Sequence, residues 1–400
     1  MQSESWRTTT ILSVLADLSG AKNGPNVDDG DDLAGCGRLV RDGLASAVQT
    51  ALDGGSCEKL DQLILDAYAE LARSSSFCWR RLHTDASILS ALLSPPLDAL
   101  AKLDTAIIIS GAAGRGRLDL ILSIIESIQS EHFPPRTFYP INPSVFQALD
   151  PLPLGGGVIQ CLSAPPSLAT FQSRDYKTPF VLRGYARDWP ALNQRPWAST
   201  EYLRAVAGPG RVVPVEVGND YRTDDWTQKL MSWDAFLESL DSEGDTHYLA
   251  QHSLLMQFPA LRADIEVPDY VYASLPRPPG CEPPTNDEQL VINAWLGPKD
   301  TISPAHTDPY YNMYVQVAGT KTVWMAPPSC SEFMYAQGNT SGVNVFSTDQ
   351  GDHPKFSEHI AVHGGGMTAR LEPGDLLYMP AGWWHAMRAN CHSFSVSMWF

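Results

Sequence analysis

The sequence predicts an α+β chain: a helical N-terminal half, then a C-terminal half of short antiparallel strands forming a sandwich or barrel. Three observations predict it. Apolar residues recur at steps of three and four between about residues 38 and 130, the period of a helix face. A proline-rich stretch then interrupts the pattern, from Phe133–Pro134–Pro135 through Pro140, Pro143, Pro151 and Pro153 to Gly155–Gly156–Gly157, as a linker does. Beyond it come short runs of β-branched and aromatic residues separated by turn signals. The expected division is a helical domain over 1–145 and a strand-rich domain over 146–400, with a linker at about 133–157. For 400 residues, two or three domains of ~150 each is the expected number.

In the helical half, Val40, Leu44, Ala47, Val48 and Ala51 mark one stripe, which Gly54–Gly55 stops. Leu60, Leu63, Ile64, Ala67 and Leu71 form a second, with Ser56 placed to cap it. Leu118, Ile121, Leu122, Ile125 and Ile128 form another, and between the last two lie Ser94–Pro95–Pro96 and the apolar run Ala106 to Ile109. The glycine-rich Gly111–Ala112–Ala113–Gly114–Arg115–Gly116 precedes a helix, as a phosphate loop would. It lacks the Gly-Lys-Ser/Thr ending, so an interhelical turn is expected. The expected strands are Phe180 to Leu182, Val212 to Val217, Leu290 to Leu296, Met313 to Val317, Thr322 to Met325, Leu376 to Met379 and Phe394 to Trp399. Many short strands at close spacing suit a sandwich or barrel.

Charge narrows the function classes. Asp plus Glu number 45 against 28 Lys plus Arg, a formal net charge of −17. So acidic a surface repels phosphate backbones, so direct nucleic-acid binding is not expected; a basic partner is. No apolar run reaches the ~20 residues of a membrane span, and the first residues lack signal-peptide character. Seven scattered cysteines without a CxxC pair read as reduced thiols of a nuclear or cytoplasmic protein.

The informative segment is Thr301 to Lys321, TISPAHTDPYYNMYVQVAGTK. His306 and Asp308 are two apart, and in a strand such residues share a face. His385, in EPGDLLYMPAGWWH, is the candidate third ligand. Two His and one carboxylate on one side of a metal form the facial triad of non-haem Fe(II) oxygenases, which leaves positions open for a co-substrate and O₂. If the strand continues past Pro309 and Gly319 makes a tight hairpin, Lys321 points to the same face as His306, Asp308 and Asn312. An inward lysine is costly unless it meets an anion, and a dicarboxylate whose other end chelates the metal would be one.

With these residues in view, the segment from about Leu168 to Phe400 resembles the JmjC family of Fe(II)- and 2-oxoglutarate-dependent oxygenases. The likeness is carried by TPFVLRGYARDWP, VVPVEVGNDYRTDDWTQKLM, YLAQHSLL, VINAWLGPKDTISPAHTDPYYNMYVQVAGTK and FSVSMWF. It implies a double-stranded β-helix, a cupin-like jelly roll, as the catalytic domain. It implies His306, Asp308 and His385 as iron ligands, with 2-oxoglutarate and O₂ as co-substrates. Lys321 and Tyr248 would bind the distal carboxylate of 2-oxoglutarate, Asn312 and Ser303 would line its pocket, and Trp295 and Trp399 would wall it. Glu216 would recognise the substrate's basic side chain, with Tyr221, Trp226 and Gln251 nearby. The implied reaction is hydroxylation of an arginine residue in a protein or peptide, by a monomer. N-methyl-lysine or -arginine demethylation is the runner-up.

Plainer readings stand beside these. Tyr248 and Trp295 sit in apolar strands, where core packing is the usual explanation. Glu216 has structural partners within reach in Arg211 or Arg222. A cupin-type metal enzyme without 2-oxoglutarate, or a non-catalytic cupin-like binding module, would have no use for the lysine or for an intact triad respectively.

Overall fold

The structure, a computed structural model, describes residues 2–18, 33–53, 55–74, 76–138, 156–173, 177–218, 226–242, 244–278, 280–282, 284, 289–347, 353–363 and 366–400. These fall into two compact units. One comprises Met1–Thr137, Ala207–Val213 and Met231–Asp234; the other comprises Phe138–Val206, Pro214–Leu230 and Ala235–Phe400.

The first unit is helical: Gln2–Leu18, Arg38–Leu52, Glu58–Leu71, Phe77–Leu92, Pro96–Ser110 and Arg117–His132. The apolar stripes turn inward as their spacing requires. Leu44, Ala47 and Val48 are buried, as are Leu60 and Ala67, and Ile121, Ile125 and Ile128. Ser56 Oγ accepts the Glu58 N–H at 3.1 Å. Gly111 ends the Pro96–Ser110 helix in the left-handed region at φ +65°, a C-cap that glycine adopts without strain. The glycine-rich stretch is thus an interhelical turn.

The Phe77–Leu92 helix had no legible apolar stripe, because its buried residues include His83, Thr84, Asp85, Ser87 and Ser90. Asp85 accepts Arg81 Nε and Arg117 Nε, each at 2.7 Å. Arg211 in the same unit holds Asp104, with Nη2 at 2.7 Å from Oδ1, and the Val212 N–H donates to Asp104 Oδ2 at 2.8 Å. Both side chains are buried, so the pair is desolvated and fully engaged. Arg211 is therefore not a partner of Glu216, and Arg222 lies outside the described residues.

The second unit carries two sheets. One runs Gly157–Val158, Met367–Leu371, Lys321–Ala326, Trp384–Ala389, Ile302–His306, Thr340–Ser341, Ala336–Gln337. The other runs Gln160–Cys161, Phe180–Leu182, Leu376–Met379, Asn312–Ala318, Ser393–Trp399, Val291–Gly297, His247–His252, Val212–Val217, Thr227–Ser232. The central pairs are antiparallel. Val323, Met325, Leu371 and Met387 from the first sheet meet Val181, Tyr314, Leu377 and Met379 from the second in one core. This is the expected helical region followed by a jelly-roll-like domain.

One local expectation fails. Asn312–Ala318 and Lys321–Ala326 do not form a hairpin, because they belong to different sheets. Gly319 instead turns the chain across the gap. Its φ is +67°, and a Cβ there would lie 1.9 Å from the His392 carbonyl oxygen. Nor does the strand continue past Pro309: Ile302–His306 ends, and residues 307–311 cross to the other sheet. Proline has no N–H for a ladder bond, which favours the break there.

Candidate active site

His306 ends its strand and is the direct cross-strand partner of His385, so their ring centroids lie 4.2 Å apart. Asp308 sits in the crossing loop, where its carbonyl accepts the Gly382 N–H at 2.8 Å. The turn before His385 thus grips the backbone of the third residue. Asp308 Oδ2 lies 3.6 Å from His385 Nε2 and 3.9 Å from His306 Nε2, beyond hydrogen-bond reach but close enough to share an ion. Their ligand atoms lie within 4.8 Å of one another.

Both imidazoles are held from behind. His306 Nδ1 donates to the Pro304 carbonyl at 2.8 Å, and His385 Nδ1 to the Trp383 carbonyl at 3.1 Å. A carbonyl only accepts, so each Nδ1 carries the hydrogen and each Nε2 offers its lone pair. Burial, reinforced by neighbouring His306, pushes the His385 imidazole down to about 4, which keeps it in the neutral form a metal requires.

The three residues open on a cavity that also touches Tyr248, Trp295, Ser303, Asn312, Lys321 and Trp399. All six of the expected co-substrate residues line it. Lys321 is 2% exposed. Its Nζ donates to Tyr248 Oη at 3.2 Å and Ser395 Oγ at 3.4 Å, and lies 5.5 Å from the Tyr248 ring centroid. It makes no ion pair with any described residue, and burial pushes its ammonium down to about 7. Trp295 Nε1 donates to Ser397 Oγ at 3.0 Å, and Asn312 Oδ1 accepts the Met398 N–H at 3.2 Å. Trp399 stacks on Tyr310 at 5.3 Å.

Ser303 and His306 both reach the cavity although three residues apart. The register shifts between His385↔His306 and Met387↔Ser303, and this bulge lets an odd spacing share a face. At the sheet edge, Thr340 pairs with His306 and the Thr307 N–H donates to the Asn339 carbonyl at 2.9 Å. The 336–341 hairpin thereby fixes the edge that carries His306.

The expected substrate residues are less gathered. Glu216 is the cross-strand partner of Tyr248 and half-buried, but it does not line the cavity. Burial pushes its carboxyl up, while the Trp226 and Gln228 side chains pull it down. Buried Trp226 Nε1 nonetheless makes no hydrogen bond of normal geometry to a described residue. Gln251 is exposed, at φ +47° beside a bulge, and does not reach the cavity. Tyr221 lies outside the described residues. His252 Nε2 donates to Gln257 Oε1, 2.7 Å away, and is buried there.

The sequence reading missed Tyr314, Met379, Met387 and Ser397 in the lining. A signal existed: Tyr314, Met387 and Ser397 each stand two residues from an expected wall residue or ligand, and strand parity puts such pairs on one face.

Residues 171–400 match the family model described as a cupin-like domain. The chain belongs to that family. This JmjC-type cupin is 36% identical over 253 residues to the Jumonji C domain-containing protein 5 of Drosophila melanogaster, covering 59% of this chain and 58% of that one. It is 38% identical over 246 residues to the lysine-specific demethylase 8 of Xenopus tropicalis, covering 59% and 51%. It is 36% identical over 239 residues to the lysine-specific demethylase JMJ30 of Arabidopsis thaliana, covering 57% and 51%. The cupin-like chain thus spans a little over half the length of these curated relatives. No helix among the described residues is long and apolar enough to cross a membrane.

Proposed function

We propose that the chain is an Fe(II)- and 2-oxoglutarate-dependent protein oxygenase that hydroxylates an arginine residue of a protein or peptide. One observation carries the reading: two imidazoles and a carboxylate converge in a cavity that also holds a buried lysine with no acid beside it. The donor set suits non-haem Fe(II), and the lysine suits the far end of a dicarboxylate.

When bound, iron together with 2-oxoglutarate and O₂ supplies the oxidising power to hydroxylate a C–H bond. His306, Asp308 and His385 would hold the metal, with both Nδ1–H groups tied back so that the Nε2 lone pairs stay aimed. Lys321 and Tyr248 would anchor the distal carboxylate of 2-oxoglutarate through charge-assisted hydrogen bonds. Asn312 and Ser303 would orient it, while Trp295 and Trp399 keep water from the site. Glu216 would present its carboxylate to a guanidinium beside the Tyr248 wall.

The names of two of the relatives support a second reading, demethylation of an N-methyl-lysine or -arginine. Either way the substrate is a basic side chain of a protein in the nucleus or cytoplasm, which the net charge of −17 suits. Succinate release under Fe(II), with a panel of arginine, methyl-arginine, lysine and methyl-lysine peptides, tests the proposal. A gain of one oxygen on an arginine peptide is expected. Formaldehyde release from a methylated peptide would favour the second reading, and no succinate at all would sink both.

A further inference from the structure

Lys321 is bonded from behind by neutral groups that form a line. Its Nζ reaches Ser395 Oγ at 3.4 Å. Tyr314 Oη donates to Ser395 Oγ at 2.6 Å, and the same hydroxyl lies 3.3 Å from Gln316 Oε1. Gln316 Nε2 lies 2.7 Å from the Ala318 carbonyl and 3.5 Å from the Phe394 carbonyl. Those two carbonyls only accept, so the amide nitrogen must face them and Oε1 must face Tyr314. A phenol has one proton. It goes to Ser395 Oγ, the much shorter bond, which fixes that oxygen with a further lone pair turned to the ammonium. Tyr314 is 2% exposed, and Gln316 and Ser395 are fully buried.

Resting on the 2-oxoglutarate reading, we infer that Tyr314 and Ser395 are positioning residues. Tyr314 holds Ser395 Oγ in place as an acceptor, and that oxygen steadies the Lys321 ammonium without a carboxylate. The physical need is specific. An acid in that place would satisfy the lysine and compete with the incoming anion. A neutral hydroxyl oxygen held as an acceptor stabilises the cation by its dipole and leaves its charge for the ligand. Selectivity for dicarboxylic over monocarboxylic 2-oxo acids follows from this pair as well as from the lysine.

The test compares Tyr314→Phe, Ser395→Ala and the double variant with the full chain. Dissociation constants are measured by calorimetry, with Mn(II) in place of iron, for 2-oxoglutarate and for 2-oxobutyrate, which lacks the distal carboxylate. Each single variant should lose on the order of tenfold in 2-oxoglutarate affinity, with 2-oxobutyrate unchanged. The double variant should lose little more than either single one, because both act through one nitrogen. Equal loss for both ligands, or unchanged 2-oxoglutarate affinity in Tyr314→Phe, overturns the inference.

A second readout needs no co-substrate: the Lys321 Nζ titration, followed by NMR on nitrogen-15 lysine-labelled protein. Its midpoint should fall in each single variant, with the other titratable groups of the cavity, Tyr248, His306, Asp308 and His385, left in place. If the full chain binds neither 2-oxo acid but the midpoint still moves, the 2-oxoglutarate reading falls and the positioning role stands. A midpoint that does not move removes the role.

Discussion

Replacing Lys321 by Met should push binding and stability in opposite directions. Burial strips water from the ammonium and lowers it from its ordinary 10.5 to about 7. At 1.36 kcal/mol for each tenfold change in acidity, that is a folding cost of roughly 5 kcal/mol when the lysine is charged. The sign is that of a depressed base. The cost is full below about pH 7, shrinks as pH rises, and vanishes above 10.5, where both folded and unfolded chains carry a neutral amine. Met fills similar space without the charge, and such exchanges recover ~1–4 kcal/mol. At ~2–4 °C per kcal/mol for a unit of this size, the melting transition of the strand-rich unit should rise by several degrees at pH 7 and by less at pH 9. Over the same exchange, the charge-assisted bond to the dicarboxylate is lost. At ~1.5–3 kcal/mol, the 2-oxoglutarate dissociation constant should rise by about one to two orders of magnitude. Differential scanning calorimetry at the two pH values and isothermal titration with Mn(II) measure both. A variant that melts lower and binds 2-oxoglutarate as before would refute the reasoning and make Lys321 a structural residue.

Four further outcomes are expected. In the unaltered protein, 2-oxoglutarate affinity should fall about tenfold per pH unit above about 7, because binding must then take up a proton at Lys321; titration in buffers of different ionisation heat detects that proton. His306→Ala or His385→Ala should abolish Fe(II)-dependent turnover with the circular dichroism spectrum retained, and metal analysis should show the ion lost. Glu216→Gln should weaken use of an arginine peptide far more than the uncoupled turnover of 2-oxoglutarate, with both rates measured on one preparation. Asp104→Ala should cost ~3–5 kcal/mol in the helical unit by stranding buried Arg211, seen in its denaturant midpoint.

The candidate ligands were legible because the His-x-Asp spacing is a local signal, even though Asp308 lies beyond the strand end and not on its face. The jelly roll was legible as a class, through short β-branched runs. What failed was the pairing. Asn312–Ala318 and Lys321–Ala326 look like a hairpin at Gly319, since nothing local distinguishes a turn within a sheet from a step between sheets. The placement of Lys321 beside His306 was right, but the geometry that delivers it is the crossing. Ser303 was unreadable by parity because a bulge shifts it, and the Phe77–Leu92 helix because its buried face is half polar. Glu216 could not be paired from sequence, since only the fold shows Arg211 spoken for by Asp104.

The step at Gly319 has a thermodynamic corollary. His306, His385 and Lys321 stand on one sheet, while Asn312, Tyr314, Tyr248, Trp295 and Trp399 stand on the other. Whatever fills the cavity is therefore gripped from both sides and acts as a removable rivet through the jelly roll. Occupancy at a hundred times the dissociation constant adds ~2.7 kcal/mol to the folded state, spread over strands far apart in the chain. Hydrogen exchange should slow in both sheets together when metal and co-substrate are added. On the reading proposed above, the stability of the folded protein would then gauge how much iron and 2-oxo acid surround it.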